Sequence, residues 1–340
     1  MKASRFMGNM TFEVADLPMP KAGPGELVVH NKVCGVCGTD VHIYHGEPGS
    51  ADVNPPVVLG HEYSGEVMEV GQGVTGFAVG DHVTIDPNIY CGHCQYCQNG
   101  KKQLCETMEA IGVTRDGGFA EYSLIPAAQA FKLDPSVPFE AAAMAEPLAC
   151  CLHGIDLAGI QAGDKVCVVG GGAIGLIMVQ LAKLSGASKI VVSEPNEKRR
   201  QVALEVGAGA AIDPTQPGYE EAFTQAMDGS ADVVIECVGN TPAVKSAFQF
   251  AGKGATILLF SVPKVDATFD LPLFDVYKKE LTIKGSFVNP DTHDRAVRLI
   301  NSGKVDFSSI ITHRFTLDQL PEAIAMQMSS ESIKVVVEAK

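Results

Sequence analysis

The chain has 340 residues, 46% of them hydrophobic, and a formal net charge of -14. That length can bury large cores and points to two domains, and the acidic balance excludes nucleic acid as a partner, since a phosphate backbone demands a basic footprint. The first residues, MKASRFMGNM, contain no apolar stretch of signal-peptide length, so the ten cysteines are expected as thiols or metal ligands in a reducing cytoplasm.

In chain order, the first part is rich in Gly and Pro and carries short apolar runs at 26–30, 56–59, 65–70 and 82–85. Such runs between turn residues predict short strands in a compact all-β unit. The run CGHCQYCQNGKKQLC follows, with Cys91, Cys94, Cys97 and Cys105 spaced C-x2-C-x2-C-x7-C. Four thiolates this close in sequence can occupy the corners of one tetrahedron, as a structural zinc requires. Such a site has no vacant position, so the 91–105 lobe can stabilise but not catalyse.

From about Glu146 apolar strands alternate with helical stretches. Strands are predicted at 165–169, 189–193, 210–213, 232–237, 255–260 and 281–284, and helices at 173–184, 197–206, 219–227, 242–251 and 272–278. Thr241 is the expected cap before Pro242. Six strands with five helical connections predict a doubly wound parallel sheet, and hence an α/β chain with a β-rich partner domain. The longest apolar run, 166–184, is broken by Gly170, Gly171, Gly172 and Gly175 and includes Gln180 and Lys183. It reads as strand, turn and helix, not as a membrane span. One more helix, 291–302, and a closing segment should pack back on the N-terminal unit. The expected division is 1–147 with 288–340, and 148–287.

Gly170, Gly172, Ala173, Ile174 and Gly175 lie in a G-x-G-x-x-G run that follows a strand and opens a helix, the context a dinucleotide fingerprint needs. Its helix N-terminus offers free N–H groups to pyrophosphate. Glu194 ends the second strand of this region, where a carboxylate binds ribose hydroxyls and repels a 2′-phosphate, which favours NAD over NADP. Lys198, Arg199 and Arg200 follow closely; such cations can neutralise a 2′-phosphate, the alternative to NAD, or line a solvated helix face, and Arg199 is a candidate contact to the cofactor.

A second set of possible ligands is Cys37, His61, Glu62 and Glu146. Cysteine, histidine and carboxylate with an open position describe a catalytic zinc. Spacing alone leaves Cys34 as an alternative to Cys37, and Cys150, Cys151 or His153 as alternatives to Glu146.

Over its whole length the chain resembles the zinc-dependent medium-chain dehydrogenase/reductase (alcohol dehydrogenase) family. The motifs that carry this are Cys37-Gly38-Thr39-Asp40-x-His42, Gly60-His61-Glu62-x2-Gly65-x5-Gly71, the four-cysteine lobe, Gly117-Gly118-Phe119-Ala120-Glu121-Tyr122, Glu146-Pro147-Leu148 and the glycine fingerprint. The resemblance implies a GroES-like β-rich catalytic domain, a Rossmann domain, and an active site in the cleft between them. It implies two zinc ions per chain and NAD, with the catalytic zinc on Cys37, His61 and either Glu62 or Glu146. Cys34 and Cys150 then read as small buried residues. Thr39 is implied to pass the substrate proton through the nicotinamide ribose to His42, with Asp40 supporting a ligand or backbone. Glu-Pro-Leu at the third ligand is similar to the polyol (sorbitol-type) branch, although the Arg-Tyr pair of animal sorbitol enzymes is missing about Val288 and Asn289. The expected reaction is oxidation of a secondary alcohol of a polyol or sugar alcohol to the ketone. Threonine and sugar-alcohol phosphates are the competing substrates, and a non-catalytic NAD- and zinc-binding sensor is the competing class. Ile43, Tyr44, Phe119 and residues near Phe287 are candidates for specificity. Relatives form dimers or tetramers, so a homo-oligomer is expected.

Overall fold

The computed structural model describes residues 1–49 and 51–339. They form two compact units, Met1–Ala149 with Val288–Lys340, and Cys150–Phe287.

The first unit contains β1 (Lys2–Gly8), β2 (Thr11–Asp16), β3 (Glu26–Gly35), α1 (Gly38–Tyr44), β4 (Val57–Val58), β5 (Glu62–Val70), β6 (His82–Ile85), β7 (Asn88–Ile89), α2 (Gln95–Gln98), β8 (Glu109–Ala110), β9 (Tyr122–Pro126), β10 (Ala130–Lys132) and α3 (Phe139–Ala143). The helix α4 (Ala145–Ala158) then carries the chain into the second unit. The β1–β2 hairpin was not foreseen. Its second strand is largely exposed and lacks the apolar run that marks the others. β3 begins at the predicted position but continues to Gly35, and β5 starts at Glu62, before the predicted 65.

The second unit contains β11 (Lys165–Val169), α5 (Ala173–Leu184), β12 (Lys189–Ser193), α6 (Glu197–Val206), β13 (Ala210–Ile212), α7 (Tyr219–Met227), β14 (Ala231–Glu236), α8 (Thr241–Phe250), β15 (Ala251–Leu259), α9 (Leu273–Lys279) and β16 (Thr282–Gly285). These strands form one parallel sheet in the order β13-β12-β11-β14-β15-β16. The order reverses direction after β11, which leaves a crevice between the β11 and β14 ends, the usual dinucleotide position. The cap of α8 is Asn240, whose side chain accepts from the Ala243 N–H at 2.9 Å. This corrects the expectation at Thr241: the amide oxygen reaches the orphan donor, and Thr241 becomes the first helical residue.

The chain then returns to the first unit through α10 (His293–Asn301), β17 (Ile311–Thr316), α11 (Leu320–Met328) and β18 (Lys334–Glu338). β18 pairs antiparallel with β3, with Val336 opposite Gly35, and parallel with β17. The main sheet runs β10-β6-β5-β3-β18-β17, with β9 also on β3. Leu27, Val29, Tyr63, Val67, Ile85, Ile125, Val335 and Val337 from these strands share one buried core. The ends of β3, β5 and β18 meet at Gly35, Glu62 and Lys334.

Candidate active site

Two groups of side chains are placed to hold a metal ion among the described residues. In the first, the ligand atoms of Cys91, Cys94, Cys97 and Cys105 all lie within 4.8 Å of one another. Cys94 is the N-cap of α2 and Cys97 lies on it, while Cys105 follows a 3-10 turn. The Cys94 N–H donates to Cys91 Sγ at 3.3 Å, and the Cys91 N–H to Cys105 Sγ at 3.4 Å. Backbone N–H groups of His93 and Cys94 pull the Cys91 thiol down to about 6, and those of Cys97 and Glu106 lower Cys94. Burial pushes Cys97 up to about 12. A cage that already favours thiolate at two corners fits zinc, which binds cysteine deprotonated.

In the second group, Cys37, His61 and Glu62 bring one ligand atom each within 4.8 Å of one another. Cys37 is the N-cap of α1 just after β3, and Glu62 opens β5 opposite Gly35. Asp40 is fully buried; one carboxylate oxygen accepts the Cys37 N–H at 2.8 Å, and the other faces His61 Nδ1 at 3.7 Å. Neither that oxygen nor Nδ1 has a hydrogen bond among the described residues. Burial drives the His61 ring toward neutrality, but Asp40, Cys37 and Glu146 outweigh it and hold its pKa well above the ordinary value. A buried imidazole ringed by anions is a place that calls for a cation. Thiolate, imidazole and carboxylate are also the donors zinc takes at catalytic positions, so the residues present fit that ion.

The two glutamates are not equivalent. Glu62 belongs to the group of three, yet it also accepts from Lys334 Nζ, which donates to the Val36 carbonyl as well, at 3.0 Å. Glu146 lies at the start of α4, buried and near enough to act on His61. The alternatives left by spacing lie elsewhere. Cys34 sits in the core of the first unit with Sγ toward the Gly35 carbonyl, and Cys151 Sγ faces the Ile174 carbonyl. Cys150 is half-exposed, which corrects its expected burial, and burial pushes the His153 ring toward neutrality. None of these four joins the group.

Thr39 and His42 lie with Asp40 on α1, the helix that begins at Cys37. Thr39 is half-buried, and His42 Nδ1 donates to the carboxylate of Glu47, a partner the sequence reading missed. Two of the proposed specificity residues are corrected. Ile43 and Phe119 are core side chains, 2% and 0% exposed, so neither lines an open pocket. Tyr44 stacks on Phe12, and Phe287 in the second unit is exposed.

In the second unit the glycine run forms the turn from β11 to α5, with Gly172 as N-cap and Ala173 and Ile174 in the first turn. A Cβ on Gly175 would lie 1.9 Å from the Gly170 carbonyl oxygen, so strand and helix can approach only over a glycine. Gly172 faces open space. Glu194 is buried; its carboxylate accepts the Gly171 N–H at 2.7 Å and the Asn196 N–H at 2.8 Å. It therefore ties the glycine loop to the turn that opens α6. Gly170, Gly172, Glu194, Arg199 and Val238 line a cavity of about 1310 Å³. Arg200 instead donates to the Glu194 and Pro195 carbonyls and lies 3.4 Å from Asp213. A groove at the strand ends, a free helix N-terminus and a buried acid fit a nicotinamide dinucleotide. No helix among the described residues is long and apolar enough to cross a membrane.

A closed four-thiolate cage, an open Cys-His-Glu group and a dinucleotide groove together define a zinc-dependent dehydrogenase. Residues 23–135 match the alcohol dehydrogenase GroES-like domain, and residues 173–302 match the zinc-binding dehydrogenase family. A sorbitol dehydrogenase of Halalkalibacterium halodurans is 37% identical over 97% of this chain and 96% of its own. An L-threonine 3-dehydrogenase of Pyrococcus horikoshii is 35% identical over 95% and 94%. A zinc-binding dehydrogenase of Sinorhizobium meliloti, solved with NADP bound, superposes with a TM-score of 0.95 at 41% identity, over 99% and 98% of the two chains. The chain belongs to the zinc-dependent medium-chain alcohol dehydrogenase family, and it is an oxidoreductase that uses zinc and a nicotinamide cofactor.

Proposed function

We propose that the chain oxidises a secondary alcohol of a polyol or sugar alcohol to the ketone with NAD as acceptor. The observation that carries this reading is the open Cys37–His61–Glu62 group with Glu146 beside it, on a chain similar to a sorbitol dehydrogenase. Cys37, His61 and one of the two glutamates would hold the catalytic zinc; Cys91, Cys94, Cys97 and Cys105 would hold the structural one. Zinc when bound supplies a Lewis acid that acidifies the alcohol, and NAD when bound takes the hydride at its nicotinamide. The chain's own residues do the rest. Asp40 holds the Cys37 backbone and faces His61, fixing two donors at once. Thr39 would accept the hydroxyl proton, and His42 on the same helix would pass it on to solvent. Gly172 and the start of α5 would hold the pyrophosphate, and Glu194 would hold the adenosine ribose.

Two features favour an unphosphorylated substrate and NAD. Lys334, the cation beside the group, is already engaged by Glu62 and the Val36 carbonyl. Glu194 is buried against the glycine loop, where a 2′-phosphate would meet its charge. A second reading is oxidation of L-threonine, supported by the similarity to threonine dehydrogenases. We also infer a homo-oligomer: β16 is an open sheet edge, and Leu273, Phe274 and Tyr277 of the neighbouring α9 are strongly exposed. We infer a cytoplasmic location, a reducing compartment in which the four-cysteine lobe keeps its thiolates.

Reduction of NAD and of NADP across polyols, hexitol phosphates and threonine tests the assignment, with sedimentation of the same sample. Turnover of polyols with NAD and a species larger than a monomer are expected. Threonine as the better substrate, equal efficiency with NADP, or a monomer would each overturn the corresponding element.

A further inference from the structure

The turn that ends α1 folds the chain back onto the helix. Gly46 adopts φ +80°, a region open to glycine at little cost. Its N–H donates to the Ile43 carbonyl at 3.0 Å, and the Glu47 N–H donates to the His42 carbonyl at 2.9 Å. This is a Schellman closure, in which the residue after the left-handed glycine bonds back to the last turn. The same two residues meet again through their side chains, where His42 Nδ1 donates to the Glu47 carboxylate. One backbone and one side-chain hydrogen bond between a single pair of residues leave the imidazole little freedom to turn.

A carboxylate can only accept, so the ring proton sits on Nδ1 and the Nε2 lone pair stays open. Both side chains are partly exposed, 25% for His42 and 35% for Glu47, so water reaches the pair. Among the described residues, the other charged or titratable groups of α1 and of α11, which packs on it, are directed elsewhere. Asp40 engages Cys37 and faces His61, His45 packs edge-on against Tyr44, and α11 carries only Glu322, which is exposed.

We propose that Glu47 is a positioning residue of the proton relay: it holds His42 as the Nδ1–H tautomer, so that Nε2 is the nitrogen that accepts the substrate proton. The proton arrives at Nε2, the resulting imidazolium is paired with the Glu47 carboxylate, and Nε2 then gives the proton to water. The ring returns to its starting tautomer without rotating. This rests on the relay assigned to Thr39 and His42 above.

The test combines Glu47→Ala and His42→Ala with ¹⁵N NMR of the neutral His42 ring in the protein without NAD. The Nδ1–H tautomer should dominate in the parent protein, and Glu47→Ala should shift it toward Nε2–H. In steady-state assays Glu47→Ala should lower kcat by about tenfold, the scale of a lost orienting partner, with KM for alcohol and NAD unchanged. Adding Glu47→Ala to His42→Ala should cost nothing more, because residues acting as one unit are not additive. An unchanged tautomer, or losses that add, would overturn the proposal. If His42→Ala alone leaves kcat intact, the relay itself fails; if it lowers kcat and Glu47→Ala does not, only the role of Glu47 fails.

Discussion

His61 shows how single residues decide the chemistry: its ring is buried, yet Asp40, Cys37 and Glu146 hold its pKa well above the ordinary value, so the site favours positive charge. Cys37 and His61, which the structure brings together, were legible in the sequence because each falls in a short local motif. Lys334 was not, because it meets Glu62 across 272 positions and only the pairing of β18 with β3 brings them together. Glu47 was not, because its contact with His42 depends on the φ of Gly46. Another buried histidine serves a different end. His293, on α10 against Phe131, has no partner for either ring nitrogen among the described residues, and burial pushes its pKa down to about 3. It is therefore neutral when folded but ordinary, near 6.5, when unfolded. Its contribution to stability is intact above about pH 6.5 and is lost as pH falls toward 3, with a slope of at most about 1.4 kcal/mol per pH unit. Buried Asp86 works in the opposite sense. Its pKa is raised to about 6 by burial, so its contribution is present below the usual carboxylate value and lost as pH rises through 6. Comparing His293→Phe with the parent isolates the histidine. Denaturant titrations should show the variant losing less stability than the parent between about pH 6.5 and 3. Parallel curves would show that His293 does not stay neutral in the fold.

Among the elements, the parallel sheet was read most closely. β11, β12, α5, α6 and α7 fall at the predicted positions, because buried strands and apolar helices bounded by glycine leave an unbroken pattern. Misreadings cluster where one element runs into the next. β15 begins at Ala251 instead of 255, since α8 passes into it without a turn and the strand carries an irregularity where it pairs with β14. The four-cysteine lobe is the element with least regular structure to hold it, a four-residue helix and a 3-10 turn. Metal binding should supply its order, as in zinc-finger peptides where it contributes on the order of 10 kcal/mol. Cys97→Ser should cost one zinc per chain and lower the Tm by several degrees, while the isolated affinity for NAD changes little. Metal analysis and a melting curve check this; an unchanged zinc content would show that the lobe does not hold the ion.

On the scale of the whole molecule, the sequence indicated two kinds of architecture, and the structure contains both. The change from Gly- and Pro-punctuated strands to alternating strands and helices near Glu146 reflects a real change in layering. What the pattern could not convey is which strands neighbour one another. The order β13-β12-β11-β14-β15-β16 and the insertion of β18 beside β3 are matters of long-range pairing. The candidate metal group is set by the pairing of β3 with β5, which puts Glu62 opposite Gly35, and β18 then adds Lys334 against Glu62. In the proposed function, Cys37, His61 and a glutamate hold a second zinc on which turnover depends. Metal content and alcohol-dependent NAD reduction, measured together on the parent and on Cys37→Ser, test it most directly. The parent should carry about two zinc per chain; the variant should keep about one and lose turnover while still binding NAD. A Cys37→Ser protein that keeps both zinc ions and full activity would contradict the claim.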